Sequence, residues 1–185
     1  MHLVRPSPEH LPDYVAALER GWSPNNERGI AATQEELERI RSDPQAFLDS
    51  LHDPQGKGAA VTMPDGSLVP RLPGFRHWMW DGGFAGNIAL RWQEGTVELP
   101  PYCLGHIGYS VVPWKQRRGY ATAALIEMLG EARRMGLPYV EITADPDNVA
   151  SQKVILAAGG RFHERFTKPP QFGSKPCLRF RVPLG

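Results

Sequence analysis

Residues 105–121 read Gly105-His106-Ile107-Gly108-Tyr109-Ser110-Val111-Val112-Pro113-Trp114-Lys115-Gln116-Arg117-Arg118-Gly119-Tyr120-Ala121. The first half is a strand. Gly105 to Val112 is rich in β-branched and aromatic residues and stops at Pro113, which has no N–H for a ladder. The second half opens a helix. From Ala121, small or apolar residues recur at Ala124, Leu125, Met128, Leu129, Ala132 and Met135, which is helical spacing over successive turns. Arg133 and Arg134 fall in the last turn, where cations offset the dipole, and Gly136 and Pro138 close it. The first turn of such a helix has backbone N–H groups with no internal partner, beside the partial positive charge of the dipole. Lys115, Arg117 and Arg118 flank that turn, and Gly119 and Ala121 keep its surface thin. The combination makes an anion site suited to a pyrophosphate.

The pattern continues downstream. Tyr139 to Ala144 is a strand, Val149 to Ala158 a helix stopped by Gly159-Gly160, and Phe162 to Phe166 and Cys177 to Val182 are final strands. Upstream, Arg76 to Trp80 and Phe84 to Trp92 form a hairpin about Asp81-Gly82-Gly83. Gln93 to Tyr102 is a connection, and Pro64-Asp65-Gly66 is a turn between short apolar runs. The first third is helical and polar, with a helix over Leu11 to Arg20 and a loop at residues 53–58. Thr33-Gln34-Glu35-Glu36 fits a capping box, so a second helix starts there and runs through Leu37 and Ile40. Asp43-Pro44 then restarts it. Alternating strands and helices after a run of antiparallel strands predict an α/β (α+β) fold around a mixed sheet. No internal repeat, low-complexity tract or linker divides residues 1–185. We read one domain with a helical part (1–58), antiparallel strands (59–104) and a strand-helix-strand-helix half with final strands (105–185).

A chain of 185 residues, 41% of them hydrophobic, buries a core without staples. Its formal net charge of +1 points to neither nucleic acid nor an anionic membrane as partner. Cys103 and Cys177 belong to no CxxC pair, as expected of reduced thiols in a cytoplasmic protein. No apolar run approaches the roughly 18–20 residues that span a bilayer, and the N-terminus lacks a signal-peptide core. The six histidines are scattered without metal-ligand spacing, so no metal is expected. The sequence has neither a GxxxxGK[ST] loop nor a GxSxG elbow.

Gln116-Arg117-Arg118-Gly119-Tyr120-Ala121 resembles the Q/R-x-x-G-x-G/A signature of the GNAT superfamily of N-acetyltransferases. It follows a strand and opens a helix, as in that family. Asn148-Val149-Ala150-Ser151, continued by an apolar helix to Gly159-Gly160, resembles the family's second cofactor segment. The likeness covers residues 76–165 well and the N-terminal third loosely. It implies a mostly antiparallel GNAT-like sheet of six to seven strands flanked by helices, with acetyl-CoA as donor and CoA as product. It also implies backbone groups of Val111 and Val112 on the pantetheine arm and the N–H groups of Gln116, Arg117, Arg118, Gly119, Tyr120 and Ala121 on the pyrophosphate. Asn148 would reach the pantetheine, and Ser151 would lie near the thiol end. The acceptor would be a small-molecule or peptide amine, and a free sheet edge leaves a homodimer open.

The chemistry names further needs. An alkyl ammonium with a pKa of about 10.4 must lose a proton before it attacks, so a base is useful. His106, Glu141, Glu98 and Asp145 are candidates, with His106 and Glu141 preferred. The departing thiolate takes a proton from a tyrosine in many relatives; here that position is Ile155, leaving Ser151, Tyr109 or water as donor, or unassisted departure of a thiolate whose thiol pKa is about 8.5. Trp22, Trp78, Trp80, Arg91, Trp92 and Tyr102 are candidates for the acceptor side, although tryptophans at alternating strand positions, such as Trp78 and Trp80, more often simply pack. Two functions stay open at this level: an active amine acetyltransferase, and a non-catalytic acyl-CoA-binding module that lost its acid.

Overall fold

A computed structural model describes residues 1–185. Its elements in chain order are β1 His2–Val4, α1 Leu11–Glu19, α2 Ile30–Ser42, α3 Pro44–Ser50, β2 His52–Asp53, β3 Val61–Thr62, β4 Leu68–Val69, β5 Gly74–Trp80, β6 Phe84–Arg91, β7 Ile107–Val111, α4 Tyr120–Arg134, β8 Tyr139–Ala144, α5 Val149–Ala157, β9 Arg161–Thr167 and β10 Pro176–Pro183. The architecture is mixed α/β with antiparallel pairing. The expected sheet is split in two. One part runs β1-β5-β6-β7 with β2 on β5; the other runs β8-β10-β9. β3 and β4 form a separate small hairpin about the Asp65 turn, where Ser67 N donates to Asp65 Oδ1 at 2.9 Å.

The two faces of the larger sheet pack differently. On one face Met79, Ile88, Leu90 and Ile107 meet Ala124, Leu125, Met128 and Ala132 of α4, all buried. Burying a leucine or methionine fully is worth about 1.5–3 kcal/mol, so this contact holds α4 against the strands. On the other face Trp78 stacks on Tyr14 at 4.3 Å, and Phe84 and Trp22 meet the pair edge-on. Here the α1–α3 helices cover the sheet. Burial pushes the Tyr14 phenol well above its ordinary range; it hydrogen-bonds to buried Glu36, which also holds Arg76 at 2.9 Å.

Two local expectations change. The Thr33–Glu36 capping box does not start a helix, because α2 begins at Ile30. Thr33 is buried inside it and donates to Trp22 O at 3.1 Å, while Glu36 turns inward to Arg76. Tertiary partners outbid the local box. The short strand β1, unread in the sequence, pairs with β5 from His2↔Trp80 to Val4↔Trp78. Asp43 does cap α3, accepting from Ala46 N at 2.9 Å.

Candidate active site

β7 and β8 are the facing borders of the two sheets. At their start they are tied: His106 N donates to Glu141 O at 2.7 Å, and Glu141 N donates to His106 Nδ1 at 3.0 Å. Beyond that tie β7 pairs only with β6 and β8 only with β10. A cleft of about 410 Å³ opens there, lined by Ile107 to Tyr109 on one border and Ile142 to Asp145 on the other. Arg91 N donates to His106 O and Val112 N to Ala85 O, which fixes the alternation of the antiparallel ladder. Ile107, Tyr109 and Val111 therefore turn their backbone groups to the open side. Gln116 Nε2 approaches Val111 O at 3.3 Å and Asn26 Nδ2 approaches Tyr109 O at 3.4 Å from that side. The Val111 N–H is thus free on the open side, while its oxygen accepts from Gln116. The N–H of Val112 is not, since Ala85 O takes it, and its side chain lies in the aromatic core. The expected Val112 contact is corrected on that ground.

The loop after β7 exposes backbone N–H groups. Arg117 has φ 61° and Gly119 φ 77°, a left-handed pair that turns successive N–H groups toward a common side. A non-glycine residue held there stores roughly 1–3 kcal/mol of strain. The N–H groups from Arg117 to Thr122 have no partner in the protein, and Gly119 caps α4 without a side chain. Gln116 N is the exception, donating to Pro113 O at 3.4 Å. Arg117 and Arg118 are exposed. Lys115 is not a free cation: it pairs with Asp81 in the β5–β6 turn, and Tyr120 Oη donates to the same carboxylate at 2.6 Å. These two partners hold the Asp81 carboxyl below its usual range. The hairpin so anchors both sides of the loop.

Across the opening, Asn148 caps α5, its Oδ1 accepting from Ser151 N at 3.0 Å. Ser151 Oγ lies 2.9 Å from Tyr109 Oη, the one side-chain bridge between β7 and α5. Burial pushes Tyr109 up to about 12, so its phenol stays protonated through the physiological range. Ile155 is fully buried in the aliphatic core, against Gly160. Tyr109 and Ser151 both line the cleft, a pairing that the sequence offered only as two unrelated names.

The preferred bases fare otherwise. His106 is buried, and both ring nitrogens meet backbone: Nδ1 accepts from Glu141 N, and Nε2 donates to Val97 O at 2.9 Å. Burial lowers its pKa. A ring with its lone pair already bonded is a fastener between β7 and β8, and it has no free site for a substrate proton. Glu141 lies between Arg181 at 2.7 Å and Arg179 at 3.5 Å, on the far side of β8 from the cleft. Glu98 shares that far side, and only Asp145 of the four lines the cleft. Of the expected acceptor-side residues, Arg91 and Tyr102 line it. Trp22 and Trp78 are core, Trp80 packs on His10, and Trp92 packs on Phe75.

No helix is long and apolar enough to cross a membrane, and no group of three His, Cys, Asp or Glu side chains is placed to hold a metal. No curated protein matches the chain by sequence. Solved acetyltransferases share its fold. RimL, a ribosomal-protein α-N-acetyltransferase in complex with coenzyme A, superposes with a TM-score of 0.61 at 11% identity, over 98% of this chain and 92% of that one. The spermidine N-acetyltransferase SpeG of Vibrio cholerae, in a mutant form, gives 0.58 at 10% identity, over 100% and 95%. The microcin self-immunity acetyltransferase MccE, in complex with acetyl-CoA and AMP, gives 0.57 at 14% identity, over 98% and 91%. A family model described as an acetyltransferase (GNAT) domain matches residues 1–161. With that match spanning most of the sequence and the left-handed loop in its place between strand and helix, the chain belongs to the GNAT acetyltransferase family.

Proposed function

We propose that residues 1–185 act as one domain that transfers an acetyl group from acetyl-CoA to a small-molecule or peptide amine, by direct attack in a ternary complex. The observation that carries this reading is the run of partnerless N–H groups from Arg117 to Thr122, beside the open edge of β7. Those groups and the exposed Arg117 and Arg118 would hold the pyrophosphate. The open-side groups of Val111 would pair with the pantetheine arm, and Asn148 with its far end. Bound acetyl-CoA supplies an activated acetyl group.

The chain's own residues then have separate tasks. A second open-side N–H of β7 near Val111, that of Tyr109, is a donor for the carbonyl oxygen that becomes negative on attack; one such donor is worth about 3–4 kcal/mol. Tyr109 Oη, oriented by Ser151 and kept protonated, is the proton source for the leaving sulfur. Asp145 takes the amine's proton, directly or through water. The non-catalytic alternative draws on the absence of a tyrosine at Ile155. The Tyr109–Ser151 pair supports the catalytic reading against it, by offering another acid at the same opening.

Calorimetric titration with acetyl-CoA and CoA tests the reading, alongside Gly119→Pro. Proline cannot adopt φ near +77° and lacks the N–H, so the variant should bind at least about a hundredfold more weakly. Absence of binding by the wild-type protein at millimolar acetyl-CoA would sink the reading. Turnover with a panel of amines separates an enzyme from a binding module.

A further inference from the structure

The cleft is lined by charged residues, and nearly all are matched within the protein. Arg28 pairs with Glu35 at 2.7 Å, Arg76 with Glu36 at 2.9 Å and Arg71 with Asp53 at 4.0 Å. Glu27 and Asp145 share Lys168, at 2.6 and 2.7 Å. One ammonium between two carboxylates leaves a surplus negative charge on that wall. Arg91 is the unmatched residue of opposite sign: it lines the cleft and has no ion-pair partner.

Its position is built. Arg91 ends β6 on the face that carries Ala89 and Asn87, and register places Gly108 of β7 opposite Ala89. A Cβ on Gly108 would come within 2.9 Å of Arg91 Nη2. The missing side chain is what lets the guanidinium lie across the strand, in the cleft. Its neighbour Cys103 does not balance the charge, since burial pushes that thiol up and keeps it neutral. A guanidinium stays charged at every relevant pH and presents a planar fork that fits carboxylate or phosphate oxygens in pairs. Left without one in a partly closed cleft, it forgoes the strongest hydrogen bonds open to it.

We propose that the acceptor carries an oxyanion, a carboxylate or a phosphate, in addition to its amine, and that Arg91 binds that oxyanion. This rests on the transfer reading given above. The amine end then falls toward Glu27 and Asp145, whose surplus negative charge suits an ammonium before it loses its proton. The acceptor class is zwitterionic: an amino-carboxylate or an amino-phosphate, with both charges met by side chains that line the cleft. A simple alkylamine or a polyamine leaves Arg91 unmatched and faces its like charge.

The test is calorimetric titration of the CoA-saturated protein with three matched series. These are amino-carboxylates from glycine to aminohexanoate, the corresponding aminoalkyl phosphates, and the corresponding alkylamines. At least one acidic member should bind about tenfold or more tightly than its neutral-tailed counterpart, and the two acidic arms tell carboxylate from phosphate. Arg91→Met should abolish the preference, and Arg91→Lys should restore only part of it, being a point charge without the fork. Unchanged CoA affinity and Tm in both variants mark the loss as local. If no acidic member outbinds its amine in the wild-type protein, or if the preference survives in Arg91→Met, the proposal is overturned. Should CoA itself fail to bind, the transfer reading falls, and the same titrations on the free protein still decide the role of Arg91.

Discussion

The face of the central sheet under α4 and the face under α1–α3 are put together on different principles. The first is aliphatic and comes from neighbours in the chain: β7, the Arg117–Gly119 loop, α4, β8 and α5 follow one another between residues 107 and 157. The second is aromatic and ionic and gathers Tyr14, Trp22, Glu36, Arg76, Trp78 and Phe84 from distant segments. The first face ends in a site made mainly of backbone N–H groups, which any sequence with the right turn can present. The second ends in a cleft whose character depends on which side chains meet there. On the proposed reading, a donor recognised by main chain and an acceptor recognised by side chains need not be encoded with equal regularity.

The sharpest way to break this contrast is to damage the ionic face and read the other. Glu36→Ala leaves the Tyr14 hydroxyl and the Arg76 guanidinium without their shared partner. Removing one member of a buried pair is strongly destabilising, and the partial solvation of Arg76 moderates the cost to about 3 kcal/mol, measurable by denaturant titration. The folded fraction should keep its acetyl-CoA affinity. Loss of that affinity in step with stability would mean that the two faces are one cooperative site.

Tyr109→Phe works at the seam between the faces. It removes the bridge to Ser151 and the proposed acid while filling nearly the same volume. We expect kcat to fall ten- to about a hundredfold, with CoA binding and Tm nearly unchanged. With Tyr109 raised to about 12, the wild-type rate should show no alkaline fall below about pH 10 from this group. An unchanged kcat would leave the thiolate to depart unassisted.

The smallest effect is expected at Asp81, where the hairpin meets the Arg117–Gly119 loop. Asp81→Asn should lower stability at neutral pH by about 1 kcal/mol and weaken CoA binding severalfold. The carboxyl is held below its usual value by Lys115 and Tyr120. Its contribution is therefore present above the unfolded carboxylate pKa, near 3.9, and is lost as pH falls through the lower folded value. Melting curves of wild type and variant should converge in acid.

The same contrast explains what could be read in advance. The strand, loop and helix from Gly105 to Met135 were legible because periodicity, a proline stop and a glycine turn act over short stretches. Arg117 to Ala121 were legible as a helix start with partnerless N–H groups, because such starts expose them whatever the side chains. His106 was not, because a histidine's type does not reveal that Val97 O and Glu141 N already occupy its ring. Thr33 and Glu36 have the spacing of a cap, and only the fold shows that Trp22 and Arg76 claim them. The tryptophans suggested a binding wall, yet Trp22 and Trp78 are packed around Tyr14. The Tyr109–Ser151 bridge joins residues separated by 42 positions, a distance that no local pattern spans.

The order of strands in the smaller sheet bears on how the protein is made. β10, last in the chain, lies between β8 and β9, which are both synthesised earlier. Until β10 leaves the ribosome, β8 and β9 each lack their ladder partner, and two unpaired edges face solvent at once. The β8 border of the cleft, though it precedes β9 and β10 in the chain, is therefore complete only once β10 has emerged. Nascent chains stalled before Pro176 should be open to protease between Tyr139 and Thr167 and to capture by chaperones, while the larger sheet, whose strands all precede Pro113, is already free to form.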